Sequence, residues 1–164
     1  MRAVIDIGTN SVLLLLAERG ADGALTVLRD QSTITRLGQG AGASGVLAVE
    51  AIERTLACLA EYRRTADSVG AAITAVTTEG VRMASNRGDF LGPAERVLGV
   101  PVRVLSGDEE ARLSYLSVAR ETPEGGPLRV LDIGGGSTEL VLGEGEMMLS
   151  AVSHPVGAVR LTER

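Results

Sequence analysis

A short motif near the amino terminus returns 126 residues later, and this internal echo is the feature that most constrains the fold. Residues 4–11 read VIDIGTNS, and residues 130–137 read VLDIGGGS. Each copy is an apolar run that ends in Asp-Ile-Gly and is followed by a second apolar run, a pattern typical of a buried strand entering a tight loop. Two equivalent strand–loop–strand hairpins predict two related α/β lobes, each opening on a three-stranded meander.

The stretch between the two copies completes one lobe, whereas the second copy is followed only by its meander. Proline and glycine concentrate in residues 122–127, so we expect a linker there. This places one lobe over residues 1–124 and the start of a second, incomplete lobe over residues 125–164. The predicted elements begin with strands over 3–7, 11–18 and 25–35, a flexible loop over 38–45, a helix over 46–67 and a strand over 71–77. Next come a helical region over 79–98, interrupted near 86–88 and at 92–93, and a strand over 100–105. The last elements are a helix over 108–121 with Ser106 as its N-cap, strands over 128–133, 139–143 and 147–152, and a helix beginning at 161.

The composition removes several classes of function. The net charge is −5, and a non-specific nucleic-acid binder needs a surplus of cations. All 16 basic residues are arginine, so a P-loop lysine is excluded and any cationic contact to phosphate comes from a guanidinium. The single histidine, His154, and the single cysteine, Cys58, exclude His-cluster and Cys-type metal sites. No segment reaches the roughly 18 apolar residues of a membrane span, so we expect a cytoplasmic protein without a membrane partner.

The two Asp-Ile-Gly loops are the first candidates for binding chemistry. An aspartate at the end of a strand projects from the sheet, and a glycine two residues later permits a positive φ and a close approach of a ligand to the backbone. Successive N–H groups in such a loop form a nest for an anion, and the three glycines of residues 134–136 leave the second nest free of side chains. A single Asp-x-Gly is more often an ordinary hairpin turn. Two copies at equivalent places favour a pair of phosphate-binding loops.

Acidic side chains crowd the start of the helix predicted over residues 108–121. Asp108, Glu109 and Glu110 all suit the positive end of a helix dipole, which is a purely structural role. A carboxylate that points into a cleft can instead act as a general base on water, and the sequence does not choose among the three. Arg82 lies about one turn into a helix that follows a strand, where α/β sheets place ligands. A solvated surface arginine is the alternative interpretation.

Asp132 and Glu139 flank the second glycine loop. If this loop folds back as a hairpin, both carboxylates can approach one point. Two carboxylate ligands, together with water and a substrate phosphate, suit Mg²⁺. In the alternative interpretation, Glu139 is an exposed residue on the second strand of the hairpin.

Together these motifs resemble the exopolyphosphatase / guanosine pentaphosphate phosphohydrolase (Ppx/GppA) family of the actin / sugar kinase / Hsp70 superfamily. The resemblance runs from Ala3 to the carboxyl terminus. Asp-Ile-Gly loops mark only the superfamily, but SGDEEARL at 106–113 followed by DIGGGSTE at 132–139 is close to family-specific. The other matching segments are IDIGTNS at 5–11, RLG at 36–38 and TTEGVR at 77–82.

The resemblance implies a fold of two ribonuclease-H-like (actin-like ATPase) lobes around a cleft. This chain would supply one α/β lobe, with a mixed five-stranded sheet and flanking helices, and the initial β-meander of the second lobe. The implied activity is Mg²⁺-assisted hydrolysis of the terminal phosphoanhydride of inorganic polyphosphate, or of the 5′-phosphate of guanosine pentaphosphate (pppGpp).

The resemblance also implies roles for individual residues. By motif position, Glu110 matches the glutamate that activates the attacking water, and Arg82 matches the phosphate-binding arginine. Asp132 and Glu139 match the acids linked to the metal. The residues that match the two phosphate loops are Asp6, Gly8, Asn10, Ser11, Gly134, Gly135, Gly136, Ser137 and Thr138.

The sequence departs from the family pattern at three points. Leu13 stands where many members carry a polar or basic residue, and Gly80 stands where alanine is common. The family's second lobe also continues well beyond residue 164, so we expect either self-association or docking of the remainder of a second lobe. Two other functions stay open: a sugar-kinase-like ATPase lobe, and a non-catalytic module that holds a phosphorylated ligand.

Overall fold

The computed structural model of the chain describes residues 1–122 and 126–163. None of the helices in these two ranges is both long and apolar enough to cross a membrane. The elements, in chain order, are β1 (Arg2–Ile7), β2 (Ser11–Arg19), β3 (Leu25–Ile34), α1 (Ala41–Ser44), α2 (Val49–Asp67), β4 (Ala72–Thr77), α3 (Glu79–Arg82), α4 (Arg87–Leu98), β5 (Val102–Val104), α5 (Gly107–Glu121), β6 (Pro127–Ile133), β7 (Thr138–Glu144), β8 (Met147–His154) and α6 (Ala158–Thr162).

The strands form one mixed sheet and one antiparallel sheet. The first has the order β3-β2-β1-β4-β5, in which β1 to β3 form an antiparallel meander and β4 and β5 run parallel to β1. The second is the antiparallel meander β6-β7-β8. The predicted α/β fold, with a mixed five-stranded sheet and a separate meander, is therefore confirmed.

Each sheet packs one face into its own hydrophobic core. On β1, Ala3, Ile5 and Ile7 alternate into the core beneath α2 and α4, as a half-buried strand requires. The smaller core lies between α5 and the second sheet, and it contains Tyr115 and Val141. Thus α5 contributes to the second core although it precedes the boundary proposed between residues 124 and 125. That boundary lies outside the described residues and stays a prediction.

Several local predictions were wrong, and tertiary packing explains the clearest of them. Helix α4 continues through Gly92-Pro93, because Phe90, Ala94 and Leu98 are spaced by four residues and anchor one stripe of the helix in the core. The glycine-rich segment 38–45, predicted as a flexible loop, contains the short helix α1. Helix α2 begins at Val49 and not at 46, and α6 begins at Ala158 and not at 161.

The start of α5 confirms Ser106 as an N-cap. The Ser106 hydroxyl accepts a hydrogen bond from the Glu109 N–H (3.2 Å), and the Glu109 carboxylate accepts one from the Ser106 N–H (2.9 Å). Two N–H groups that lack partners within the helix are satisfied by this reciprocal arrangement.

Replacing Ser106 with alanine should lower the free energy of unfolding by about 1 kcal/mol, because one of these N–H groups loses its acceptor. Urea denaturation checks this value. Ser32→Ala is the matched control, since Ser32 is exposed on β3 and its hydroxyl makes no hydrogen bond within the described ranges. Equal stability losses in the two variants would contradict the expectation.

Candidate functional site

The two hairpins present acidic residues at equivalent places in their sheets. In the first hairpin Asp6 of β1 stands directly opposite Leu13 of β2. In the second, Asp132 of β6 stands opposite Glu139 of β7. Because residues directly opposite on antiparallel strands share a face, the second hairpin presents a pair of carboxylates on one face where the first presents one. The departure at Leu13 therefore falls at the counterpart of Glu139.

The carboxylate of Asp6 lies between the two sheets. It projects from the face of the first sheet opposite to Ile5 and Ile7, which are buried in the main core. Burial raises the pKa of Asp6, and the nearby charge of Asp132 raises it further. One Asp6 oxygen, Oδ1, is buried without a hydrogen-bond partner in the described part of the chain. The two acidic faces therefore approach each other closely enough to interact.

Two hydroxyl groups orient the acidic pair of the second hairpin. Ser114 of α5 donates a hydrogen bond to Asp132 Oδ2 (2.6 Å), and Ser153 of β8 donates one to Glu139 Oε1 (2.7 Å). Glu139 is only 1% exposed, so the alternative that it is a surface residue is wrong. Both serines were missed at the sequence level, since neither belongs to a recognisable motif.

The three acids at the start of α5 have different surroundings. Asp108 is exposed to solvent. Glu109 caps the helix through Ser106 and pairs with Arg103. Glu110 turns inward, with its Oε2 atom 3.5 Å from Arg82 Nη1. Of the three acids, only Glu110 reaches the space between the two sheets.

The Glu110 carboxyl holds its proton far more tightly than a free glutamate. Its pKa is raised to about 7, chiefly because it is buried and further because Glu139 and Asp6 carry like charges nearby. Arg82 opposes this shift only in part. A carboxyl with a pKa near neutrality is suited to exchange a proton with water, as a general base must.

Arg82 is fixed by the main chain. Its Nη1 donates a hydrogen bond to the carbonyl of Leu105 (2.6 Å), the first residue after β5 on the way to α5. The side chain is half-buried, with 23% of its surface exposed. This anchoring holds the guanidinium beside Glu110, where it can contact an anion placed between the lobes.

The site has the charge of a cation-binding centre. Four carboxylates, from Asp6, Glu110, Asp132 and Glu139, face one guanidinium, and an oxygen of Asp6 lacks a partner. No group of three or more metal-ligating side chains in residues 1–122 and 126–163 is compact enough to hold an ion alone. Mg²⁺ commonly uses one or two protein carboxylates and completes its shell with water and substrate phosphate. The residues present therefore fit a magnesium ion held jointly with a phosphorylated substrate.

The glycines of the two loops do not use the positive φ that a glycine permits. Gly8 and residues 134–136 all have ordinary φ values. Each loop is instead closed by one main-chain hydrogen bond, from Gly8 N–H to the Ser11 carbonyl (3.0 Å) and from Gly134 N–H to the Ser137 carbonyl (2.9 Å). The two loops therefore have matching turns, as the echo in the sequence predicts.

Close packing explains why two of these residues are glycines. A Cβ atom on Gly135 would lie 3.2 Å from the Cβ of Thr9, in the first loop. A Cβ atom on Gly136 would collide with the carboxylate of Glu79. Glu79 is buried and pairs with Arg160 of α6, with 2.8 Å between Oε1 and Nη2. This pair was not predicted, although Glu79 lies three residues before Arg82 in the TTEGVR motif.

Replacing Gly136 with alanine should destabilise the protein by about 1–3 kcal/mol, because the buried, paired Glu79 has little room to move away. Gly88→Ala is the matched control. Gly88 lies in α4 with open space around its Cα, so alanine there should be neutral or stabilising by up to about 1 kcal/mol. Thermal denaturation compares the two variants. A Gly136→Ala protein as stable as the parent would show that the loop adapts freely.

The remaining residues predicted to bind phosphate lie around one groove or behind it. Asn10, Ser11, Gly134 and Gly135 line a groove of about 670 Å³ between the two hairpins. Ser137 is buried, and the Thr138 hydroxyl donates a hydrogen bond to the Val156 carbonyl (2.5 Å). The structure thus brings the two loops together. The hydroxyl of Thr138 is engaged in a hydrogen bond within the protein.

The chain is similar in sequence and in structure to known phosphatases. The sequence profile of the Ppx/GppA phosphatase family matches residues 16–164. A solved Ppx/GppA enzyme from Aquifex aeolicus is 40% identical, with a TM-score of 0.84, and the match covers 98% of this chain and 54% of that one. An exopolyphosphatase from Cytophaga hutchinsonii is 30% identical, with a TM-score of 0.93, over 98% of this chain and 52% of that one.

A more distant likeness concerns the fold alone. The ethanolamine utilization protein EutJ from Carboxydothermus hydrogenoformans is 13% identical, with a TM-score of 0.55, over 98% of this chain and 54% of that one. The chain spans about half the length of each of these solved proteins.

Proposed function

Because this chain belongs to the Ppx/GppA phosphatase family, we propose that it carries the water-activating part of an enzyme that hydrolyses a terminal phosphate of inorganic polyphosphate or of guanosine pentaphosphate. One observation supports this most: four carboxylates from the two sheets and from α5, together with Arg82 of α3, converge on the space between the two sheets. Phosphoryl transfer depends on positioning and charge neutralisation more than on covalent chemistry, and this set of groups meets both needs.

Glu110 acts as the general base. It accepts a proton from a water molecule as the water oxygen attacks the terminal phosphorus. The bond from that phosphorus to the bridging oxygen breaks, and the bridging oxygen leaves with the electron pair on the shortened chain. The products are orthophosphate and a chain one phosphate shorter. Arg82, held by the Leu105 carbonyl, contacts the equatorial oxygens of the transferred phosphoryl group and balances part of their charge.

Asp132 and Glu139, with Asp6 opposite them, would hold Mg²⁺. When bound, Mg²⁺ would neutralise the phosphate oxygens and relieve the repulsion among the carboxylates. The hydroxyls of Ser114 and Ser153 keep the two carboxylates of the second hairpin turned toward this position. Main-chain N–H groups inside the two loops, at residues 9–10 and 135–137, bind the phosphates of the substrate, whereas those of Gly8 and Gly134 close the loops.

No element of the described ranges covers the outer face of the second sheet. Leu131, Leu140 and Val152 lie side by side in register across β6, β7 and β8, and each is about half exposed. A contiguous apolar patch of this kind favours docking. Since the solved relatives are about twice as long as the matched region, we propose that the remainder of the second lobe covers this face.

This chain alone should therefore bind a hydrophobic dye and self-associate, whereas a form extended to the length of its relatives should do neither. Size-exclusion chromatography and dye fluorescence compare the two forms. A compact monomer of this chain that binds no dye would contradict the docking proposal. A defined dimer without dye binding would instead identify a second copy as the occupant.

The test of the proposed activity is phosphate release from long-chain polyphosphate and from guanosine pentaphosphate. Each substrate is supplied with Mg²⁺ or with a chelator, to this chain and to the extended form. Release that requires Mg²⁺ supports the proposal, and the preferred substrate identifies the specificity. Binding without release in both forms would favour the non-catalytic module, and ATP-dependent transfer to a sugar would favour the kinase-like lobe.

A further inference from the structure

Arg36 has a backbone conformation that few residues adopt. Its φ is 52°, and it is the one non-glycine residue with a positive φ in the described ranges. The left-handed region is unfavourable for a residue with a Cβ atom, so such a conformation persists only where the surroundings impose it. Glycine would adopt the same conformation without this cost.

The first glycine loop imposes the conformation. The carbonyl of Asn10 accepts hydrogen bonds from the N–H groups of Thr35 (3.1 Å) and Arg36 (2.8 Å). Two residues later, the N–H of Gly38 donates to the Thr9 carbonyl (2.8 Å). The segment that follows β3 is thereby tied to the loop, and the position of Arg36 depends on the loop's own position.

The side chain of Arg36 makes no hydrogen bond and no ion pair with the described part of the chain. It is exposed and lines the groove between the two glycine loops beside Asn10 and Gly134. Glu163 also lines this groove, and its carboxylate accepts a hydrogen bond from the Gly40 N–H (2.9 Å). The strained backbone of Arg36 costs stability, and its guanidinium forms no ion pair in the described part of the chain that would offset this cost. A guanidinium held beside the two glycine loops is instead placed to bind an anionic ligand.

The groove is separate from the place where water is activated. The carboxylates of Asp6, Glu110, Asp132 and Glu139 are absent from its lining, which begins one residue beyond Asp132 and four beyond Asp6. A phosphate bound at Arg36 is therefore a different phosphate from the one beside Glu110.

We propose that Arg36 binds a non-terminal phosphate of a linear phosphoanhydride chain and so favours extended substrates over orthophosphate-sized anions. This inference rests on the proposed function, because it assumes that the terminal phosphate lies near Glu110. Arg36 is thus a specificity-determining residue, outside the group that exchanges protons with water.

The test measures binding without turnover, in proteins that also carry Glu110→Gln. The probes are long-chain polyphosphate and orthophosphate, each titrated at two salt concentrations. Loss of one charge-assisted contact should weaken polyphosphate binding about 10-fold in the Arg36→Gln variant and reduce its salt dependence. Binding of orthophosphate should not change. Arg29→Gln removes an exposed arginine of β3 that makes no ion pair with residues 1–122 or 126–163, so it should stay within about twofold of the parent for both probes.

A third variant separates binding from folding. Arg36→Gly relieves the backbone strain, so it should be at least as stable as the parent and still lose the same affinity for polyphosphate. Equal affinities in the Arg36→Gln and Arg29→Gln variants would overturn the inference, and so would an equal loss for both probes.

The outcome also distinguishes this inference from the proposed function. If the protein with Glu110 intact releases phosphate but Arg36→Gln leaves its KM for polyphosphate unchanged, the inference fails and the function stands. If polyphosphate binding depends on Arg36 but no form releases phosphate, the function fails and the inference stands. If the parent binds no polyphosphate, both fail.

Discussion

Replacing Glu110 with glutamine should slow phosphate release from polyphosphate by about 10²- to 10⁴-fold, the usual contribution of a general base. Glutamine keeps the size of the side chain and can still reach Arg82, so the substitution removes little besides the proton acceptor. The effect should fall on kcat, because Glu110 takes its proton in the transition state and contributes little to binding of the substrate. Steady-state kinetics in whichever form of the protein releases phosphate, this chain or a longer one, measures the loss.

The neighbouring acids provide matched controls. Asp108→Asn removes the same charge from the same helical turn, but Asp108 is exposed to solvent. Glu109→Gln changes a carboxylate that caps α5. Both variants should keep their activity within a few-fold of the parent. A Glu110→Gln enzyme as active as these controls would remove Glu110 from the mechanism.

The rate should also depend on pH in a defined direction. Glu110 can accept a proton only when it is ionised, and its pKa is raised to about 7. The rate should therefore rise as the pH increases toward 7, and a bound divalent cation should move this rise to lower pH by stabilising the carboxylate. The Glu110→Gln variant should lack this dependence. A rate that stays flat between pH 5 and pH 8 in the parent would contradict the role.

The sequence predicts the fold well because its signals are local. Apolar runs ending in Asp-Ile-Gly identify both hairpins, and Ser106 three residues before Glu109 identifies the start of α5. The break predicted at Gly92-Pro93 is wrong, because the buried stripe of α4 outweighs the local cost of a proline. Local signals thus succeed where packing agrees with them and fail where packing opposes them.

The candidate site can be predicted only in part from the sequence, because its chemistry depends on contacts between residues far apart in the chain. The three acids at 108–110 suit the start of a helix equally well. Only the tertiary structure distinguishes Glu110, which lies beside Arg82 and whose pKa is raised by the charges of Glu139 and Asp6. In the same way, no sequence signal indicates that Gly136 must leave room for Glu79. The sequence can name the candidates, and the tertiary structure assigns their environments.

The Glu110→Gln substitution, which should remove activity, should also stabilise the folded protein above pH 7. The Glu110 carboxyl has a pKa of about 7 in the folded chain, against an ordinary value of 4.5. Between these two values the folded state binds more protons than the unfolded state, so the free energy of unfolding decreases as the pH rises. A shift of this size amounts to about 3 kcal/mol, which is lost progressively as the pH rises from 4.5 through 7. Glutamine does not ionise and avoids the loss.

Urea denaturation of the parent and of Glu110→Gln, from pH 4 to pH 8 in a chelator, measures this difference. The two proteins should be nearly equal in stability at pH 4, and the variant should be more stable by about 3 kcal/mol at pH 8. Part of the pH dependence should remain in the variant, because burial also raises the pKa of Asp6. Mg²⁺ should stabilise the parent at pH 8, since a divalent cation relieves the repulsion that the raised pKa reports.

Glu109→Gln is the control variant, in which the change in stability at pH 8 should have the opposite sign. Hydrogen bonds from the Ser106 main chain, and the nearby Arg103, lower the pKa of Glu109, so its ionised form favours folding at neutral pH. That variant should therefore be less stable than the parent at pH 8 and should approach it in acid, whereas Glu110→Gln does the reverse. If both substitutions destabilise the protein at pH 8, the Glu110 carboxylate is a structural ion-pair partner of Arg82, and its position among like charges is not the strained arrangement that a catalytic base requires.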